Sequence, residues 1–335
     1  MLKKTLATLA ISAIALMASD KINGAGASFP ATVYYDWAYA YEKATENQVN
    51  YQSIGSGGGI KQIRARTVNF GATDKPLKLK KLKKYKLDQF PAVIGSIVLA
   101  YNIPGIKDGE LHLSNENIAD IFLGKIKYWN DKKLKANNKD LDLPNKKIMV
   151  IRRSDGSGTT FNFTYYLSKV SKLWNDEIFY GKSVDWPVGI GGKGNEGVTN
   201  LLKQAEYSIG YIEYSYKLKQ GLNAATLQSK EGNWVETKPE NFKAAAAYAN
   251  WKKEEGFYEI LVLQPGKNSY PIVAATFILL PKDKNKIEMN KKVTAFYDYS
   301  FKHGDERATE LGYISLPKKT KDMIRSYWSD NGINP

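Results

Sequence analysis

The chain is expected to fold as an α/β protein in two lobes, each a mostly parallel sheet flanked by helices, with two strands as the hinge. Two observations predict this. Strand, glycine-rich loop and helix follow one another repeatedly along the 335 residues, the pattern of βαβ units around parallel sheets. In addition, two long apolar runs, 94–102 and 270–280, bracket a middle block of about 165 residues, within the usual size of one domain. The expected division is a discontinuous first lobe, 20–102 with 271–335, and a second lobe, 103–270.

The elements follow in order. Lys3 and Lys4 precede an apolar run from Leu6 to Ala18 with small residues behind it, which reads as a secretory signal peptide over 1–19. It is too short for a membrane span. Next, Val33, Tyr34, Trp37, Ala38 and Tyr41 recur at helical spacing, with Pro30 at the first helical position and Ser28 near the N-cap. A strand over 49–54 runs into Gly55-Ser56-Gly57-Gly58-Gly59 and a short helix carrying Ile60 and Ile63; a second strand, 68–72, ends at Thr73-Asp74-Lys75-Pro76. Lysines at 78, 80, 81, 83, 84 and 86 between Leu79, Leu82 and Tyr85 read as the solvated face of a helix, the rival reading being a docking patch for an acidic partner or lipid surface.

After the apolar strand 94–102, a helix over 118–122 has Ser114 as its cap, and the lysine-rich stretch 115–145, with Tyr128 and Trp129, reads as surface. Ile148 to Ile151 then forms a strand that leads into Arg153-Ser154-Asp155-Gly156-Ser157-Gly158-Thr159-Thr160 and a helix through Leu167. A glycine loop over 186–197 precedes another helix, and 208–214 is a strand. An alanine-rich helix over 242–248, the strand 270–280 and three helices near 290–303, 305–311 and 318–328 complete the chain.

Composition narrows the function. The net charge of +15, about +13 once Lys3 and Lys4 are removed, suits anionic partners. The lysines are scattered, and no nucleic-acid module is present, so nucleic acid is not an expected partner. With no cysteine, thiolate chemistry and lipid attachment through an N-terminal cysteine are excluded. Two distant histidines, His112 and His303, make a histidine metal site or triad a poor reading, and each is better taken as a surface or capping residue. No cofactor is expected.

The stretch from Arg153 to Thr160 suits an oxyanion: an arginine at a strand end, then small hydroxyl residues where a helix begins and backbone N–H groups are unpaired. On spacing alone, Asp74 is read more simply as a turn residue ahead of Lys75-Pro76, Arg153 as an ion pair with Asp155, and the hydroxyl residues as helix caps.

Taken together, several segments make the chain resemble the periplasmic phosphate-binding proteins of ABC-type phosphate uptake systems. They are 24–30 (GAGASFP), 55–63 (GSGGGIKQI), 70–74 (FGATD), 121–129 (IFLGKIKYW), 152–159 (RRSDGSGT) and 189–195 (GIGGKGN). The resemblance spans essentially the whole chain after the leader. It implies a two-lobed periplasmic binding protein fold, type II-like, and a non-enzymatic role. By the same resemblance Ser28, the Phe29 N–H, Ser56, Asp74, Arg153, Ser157, Gly158 and Thr159 contact phosphate, and Asp155 holds Arg153. Many family members carry threonine where Ser28 stands, which keeps the hydroxyl. Asp74 would accept a hydrogen bond from a protonated phosphate oxygen and repel fully ionised sulfate.

The implied partners are inorganic phosphate and inner-membrane permease subunits with their cytoplasmic ATPase. The implied state is a periplasmic monomer. The readings set against this are an exported phosphate-ester hydrolase using Ser56 or Ser157 as nucleophile, and a surface-interaction protein acting through the lysine segment.

Overall fold

The computed structural model describes residues 21–335; the expected leader, 1–19, lies outside them. The fold is α/β and is organised by a nine-stranded sheet. Its main strands are β1 (Ile22–Gly26), β2 (Val49–Ser53), β3 (Phe70–Thr73), β4 (Leu87–Asn102), β5 (Met149–Arg153), β6 (Ile190–Gly192), β7 (Ser208–Glu213) and β8 (Val273–Pro281). They lie in the order β2-β1-β3-β8-β4-β7-β5-β6, with the short segment Asn223–Ala224 also on β4. β1, β2 and β3 are mutually parallel, as are β5, β6 and β7. Between these two parallel groups, β8 is antiparallel to β3 and β4, and β4 is antiparallel to β7.

β4 joins the two groups. Its first part, Leu87 to Ser96, pairs with β8, and its second, Ile97 to Asn102, pairs with β7. Fifteen of its sixteen residues are buried, so no in-out alternation of polar residues is visible along it, as in strands covered on both faces. The strand is longer than its apolar stretch suggests because Asp88 and Gln89 are buried within it. Gln89 is satisfied by the Leu77 N–H (2.8 Å) and by donating to the Gly256 carbonyl (2.7 Å).

Helices follow the parallel strands: α1 (Ala31–Thr45) after β1, α2 (Gly55–Ala65) after β2, and the short α3 (Leu79–Tyr85) after β3. Beyond β4 come α4 (Asn115–Phe122), α5 (Gly158–Val170) after β5 and α6 (Gly194–Gln204) after β6. α1 buries Val33, Tyr34, Trp37, Ala38 and Tyr41, the face its spacing predicts. In α3 only Leu82 is buried, against Ile60, Ile63 and Leu279, while its lysines are exposed. Ser114 caps α4 in a reciprocal capping box with Asn117.

Three details differ from expectation. Gly55–Gly59 is not a loop; α2 begins at Gly55, and Gly59 lets the helix lie on β1, since a Cβ there would stand 2.6 Å from the Gly26 Cα. Pro30 occupies the N-cap of α1, not its first turn, and the Ser28 hydroxyl does not cap it because two amide N–H donors from α6 engage it. Trp129 lies in a stretch read as surface, yet it is wholly buried and its Nε1–H donates to the Tyr207 carbonyl at 2.9 Å. The surrounding lysines mask one large ring, which carries more apolar area than any neighbour.

Candidate anion-binding site

Helices α1, α2, α5 and α6 all start at the carboxyl ends of their strands, and those ends converge from the two parallel groups. One wall consists of Ser28 and Phe29 after β1, Ser56 in the first turn of α2, and Asp74 after β3. The other consists of Arg153 at the end of β5, Asp155, and Ser157, Gly158 and Thr159 at the start of α5. Gly158 is buried, Asp155 is partly exposed, and the others are at least 97% buried. The walls touch: the Gly57 N–H donates to the Gly156 carbonyl at 2.6 Å. Gly158 faces Ser56 and Asp74 so closely that a Cβ there would lie 2.4 Å from Ser56 Oγ and 2.5 Å from Asp74 Oδ2.

The arginine is held by two contacts to one carboxylate. Arg153 Nε and Nη2 donate to Asp155 Oδ1 and Oδ2 at 2.7 and 2.6 Å, and Nη1 donates to Thr159 Oγ1 at 3.1 Å. Asp155 also accepts from the Gly194 N–H at the start of α6 (3.0 Å). Burial raises the Asp155 carboxyl, but the Arg153 pair outweighs it and leaves the pKa below the usual carboxylate value. A guanidinium whose side chain is 1% exposed therefore keeps its charge compensated without losing its remaining N–H groups.

The hydroxyls are polarised in one direction. Ser28 Oγ accepts from the Asn195 backbone N–H (3.0 Å) and Nδ2 (2.9 Å). Thr159 Oγ1 accepts from Arg153 and, at 3.2 Å, from Asn195 Nδ2. Ser157 Oγ, the α5 N-cap, accepts from the Thr160 N–H at 2.9 Å, and Ser56 Oγ accepts from the Asp74 N–H at 3.1 Å. A hydroxyl whose lone pairs are engaged has its proton left to give, as in Ser28, Ser157 and Thr159; Ser56 gives its own to Asp74 Oδ2. The backbone N–H groups of Gly158 and Thr159 add donors with no intrahelical acceptor.

Against this donor set stands one buried acceptor. Asp74 takes the Thr276 hydroxyl on Oδ1 at 2.6 Å and the Ser56 hydroxyl on Oδ2 at 3.3 Å, while Oδ2 also faces Gly158 of the opposite wall. Burial pushes its pKa up to about 7; the Thr276 hydrogen bond and the Arg153 charge oppose that rise. The carboxyl is therefore poised to hold or release a proton near neutrality.

Sequence reasoning did not single out Asn195, Thr276, Asn162 or Glu213. Asn195 bridges the walls through Ser28 and Thr159, and its Oδ1 accepts from the Glu213 N–H at 3.0 Å. Asn162 Nδ2 donates to the Asp74 carbonyl at 2.8 Å, tying α5 to the other wall. Glu213 at the end of β7 accepts from the Ser215 N–H, and the Tyr313 hydroxyl, which donates to the Phe29 carbonyl at 2.7 Å, lies 3.1 Å from Glu213 Oε2. Burial raises Glu213 to about 8. Only Asn195 had a nearby signal, the glycine-rich stretch that contains it.

Neither histidine is at the site: His112 lies beside Trp234 and His303 beside Tyr299. Among the described residues no group of carboxylates and histidines could hold a metal ion, and no helix is long and apolar enough to cross a membrane.

Two parallel groups joined through a shared strand, with helix N-termini meeting in a buried polar seam, define a solute-receptor architecture. Residues 13–303 match a family model described as the PBP superfamily domain, and the chain belongs to that superfamily. The phosphate-binding protein PstS of Haemophilus influenzae is 51% identical over 328 residues, covering 98% of each chain. PstS of Methanocaldococcus jannaschii is 38% identical over 321 residues, covering 89% of this chain and 82% of the relative. Within the superfamily, the chain is therefore a member of the PstS phosphate-binding proteins.

Solved structures carry the fold at low identity. A putative phosphate ABC transporter substrate-binding protein from Clostridium perfringens, with bound phosphate, superposes with a TM-score of 0.65 at 19% identity, covering 89% of this chain and all of that one. The periplasmic phosphate-binding protein PfluDING, also phosphate-bound, superposes at 0.71 and 19% identity, covering 91% and 93%.

Proposed function

We propose that this chain is an extracytoplasmic solute-binding protein that captures inorganic phosphate between two lobes and delivers it to an ABC-type import permease driven by a cytoplasmic ATPase. The observation that carries the reading is the imbalance at the seam: hydroxyls held as donors, an arginine and helix N-termini, opposed by the single acceptor Asp74. Phosphate is an oxyanion that brings its own P–OH, so it satisfies both sides at once.

In this reading Ser28, the Phe29 N–H, Ser56, Asp74, Arg153, Ser157, Gly158 and Thr159 touch the anion, and Asp155 orients Arg153. The site residues are buried, so entry requires the walls to part. Residues 20–102 with 271–335 form one lobe and 103–270 the other, with β4 and the connection into β8 as the hinge. Residues 1–19 act as a cleaved export signal, and the mature chain works as a periplasmic monomer. It turns nothing over: Ser56 and Ser157 have no histidine beside them to act as base, which weighs against a hydrolase.

Thermal unfolding with added anions tests the function. A ligand at about a thousand times its dissociation constant stabilises the native state by about 4 kcal/mol. Phosphate should raise the midpoint by several degrees at concentrations where sulfate does not. Stabilisation by sulfate and not by phosphate refutes the assignment.

A further inference from the structure

Five cations cluster around the seam outside the buried site. Lys75 directly follows Asp74, and its ammonium lies 4.6 Å from the ring centroid of Phe161, in the first turn of α5 on the opposite wall. Lys182 stands on that opposite side, where its carbonyl accepts from the Ser157 N–H at 2.9 Å. Lys78 and Lys81 continue from Lys75 into α3, and Arg64 at the end of α2 stacks on Tyr85 at 4.0 Å.

These groups share one property. Among the described residues none of the five pairs with a carboxylate, and all but Lys182 lie over an aromatic face (Lys78 on Tyr258 at 5.9 Å, Lys81 on Tyr85 at 5.9 Å). Some lysines elsewhere on the molecule are neutralised, as Lys133 is by Glu116 and Asp120. The cluster is also dense enough for its members to feel one another. Beyond the effect of partial burial, Lys75 is depressed by Lys81 and Lys78, and Lys182 by Lys75 and Arg64. Uncompensated like charges are unfavourable for the protein alone, and an arriving anion relieves them.

We propose that Arg64, Lys75, Lys78, Lys81 and Lys182 form a capture collar, an electrostatic funnel that draws small multiply charged oxyanions to the seam before the walls close on them. The proposal rests on the phosphate reading above. The collar lies outside the contact residues, so it acts on the encounter and not on the closed complex. Focused positive potential raises association rates roughly 10- to 1,000-fold, and ionic strength suppresses it over a Debye length of about 10 Å at 0.1 M. Lysine pairing with aromatic faces keeps the charges in place while leaving their potential directed outward.

Stopped-flow fluorescence of the full mature chain mixed with inorganic phosphate tests this. Replacing Lys75, Lys78, Lys81 and Lys182 together by Gln should lower the association rate about tenfold at 20 mM ionic strength, leave the dissociation rate within about twofold, and lose most of its effect at 0.5 M. Replacing the same four by Arg keeps the charge and should keep the fast rate, which separates electrostatics from damage to the fold. Replacing four distant exposed lysines, Lys172, Lys238, Lys302 and Lys318, by Gln changes net charge equally and should cost less than threefold. An unchanged association rate in the first variant, or an equal fall in the distant one, overturns the collar while leaving phosphate binding standing. Absence of phosphate binding by the wild-type chain removes the parent reading and the collar with it.

Discussion

Replacing Asp74 by Asn separates the two jobs proposed for that carboxyl, accepting from a P–OH and rejecting sulfate. Thr276 donates to Oδ1 at 2.6 Å, so the asparagine carbonyl keeps that position and its amide NH2 takes the place of Oδ2, turned toward Gly158 and the other wall. The seam then presents donors only. For sulfate, which carries no proton, the wild-type site has two routes. Binding against an ionised carboxylate about 4 Å away costs about 4 kcal/mol at an effective dielectric of 20. Taking up a proton on Asp74 instead costs about 1.4 kcal/mol for every pH unit above the carboxyl's own value.

With that value at about 7, proton uptake is the cheaper route up to roughly pH 10, and the penalty on sulfate at pH 8.5 is about 2 kcal/mol, some 30-fold in affinity. Phosphate supplies a P–OH in both its monobasic and dibasic forms and escapes this penalty. Isothermal titration of both anions at pH 6, 7 and 8.5 should therefore show wild-type sulfate affinity falling about tenfold per unit above pH 7, with no such fall in Asp74→Asn. Phosphate binding by the variant should weaken by about tenfold, the loss of one hydrogen bond to a charged group. Sulfate affinity that is flat with pH in the wild type, or equally steep in the variant, refutes the role given to Asp74.

Three other predictions concern the same seam. Asn195→Ala removes the Nδ2 donor that sets the hydroxyl directions of Ser28 and Thr159, and should weaken phosphate binding about 10- to 100-fold by titration while the unfolding midpoint moves by only a few degrees; an affinity within twofold of wild type shows that those hydroxyls orient without it. Gly158→Ala places a methyl 2.4 Å from Ser56 Oγ, which holds the walls apart, so small-angle scattering with saturating phosphate should show the variant failing to reach the compact wild-type profile. Asp74 and Glu213 both have raised native pKa values, so the native state binds more protons than the unfolded chain between about pH 4 and pH 8 and stability falls as pH rises through that window. The loss is of order 4 kcal/mol per carboxyl, and denaturant titrations of ligand-free protein should show Asp74→Asn removing its share of the slope.

What the sequence made legible was local. The face of α1, the cap of α4 and the start of α5 all depend on residues within a turn or two of one another, and spacing reports them. The position of β8 between β3 and β4 depends on pairings across nearly two hundred residues, which no periodicity records. The site divides in the same way. Arg153, Asp155, Ser157 and Thr159 fall within seven residues and announce an anion cradle. Asp74 looked like a turn residue until the family motifs were considered, because its partner Thr276 is 202 residues away. Asn195 escaped for a related reason: an asparagine in a first helical turn is common, and only its contact with Ser28, 167 residues distant, distinguishes it. Trp129 was hidden by the composition around it.

The place of β8 in the sheet also sets a timetable for the chain. The strand that fills the gap between β3 and β4 comes from residues 273–281, more than four-fifths of the way along. Until it has been synthesised, β3 and most of β4 lack a shared neighbour, and the two parallel groups have no common sheet to complete. A nascent chain is thus kept from reaching its final compact form by the order in which its strands emerge. For a chain proposed here to be exported, that delay postpones stable folding until residues 273–281 have emerged.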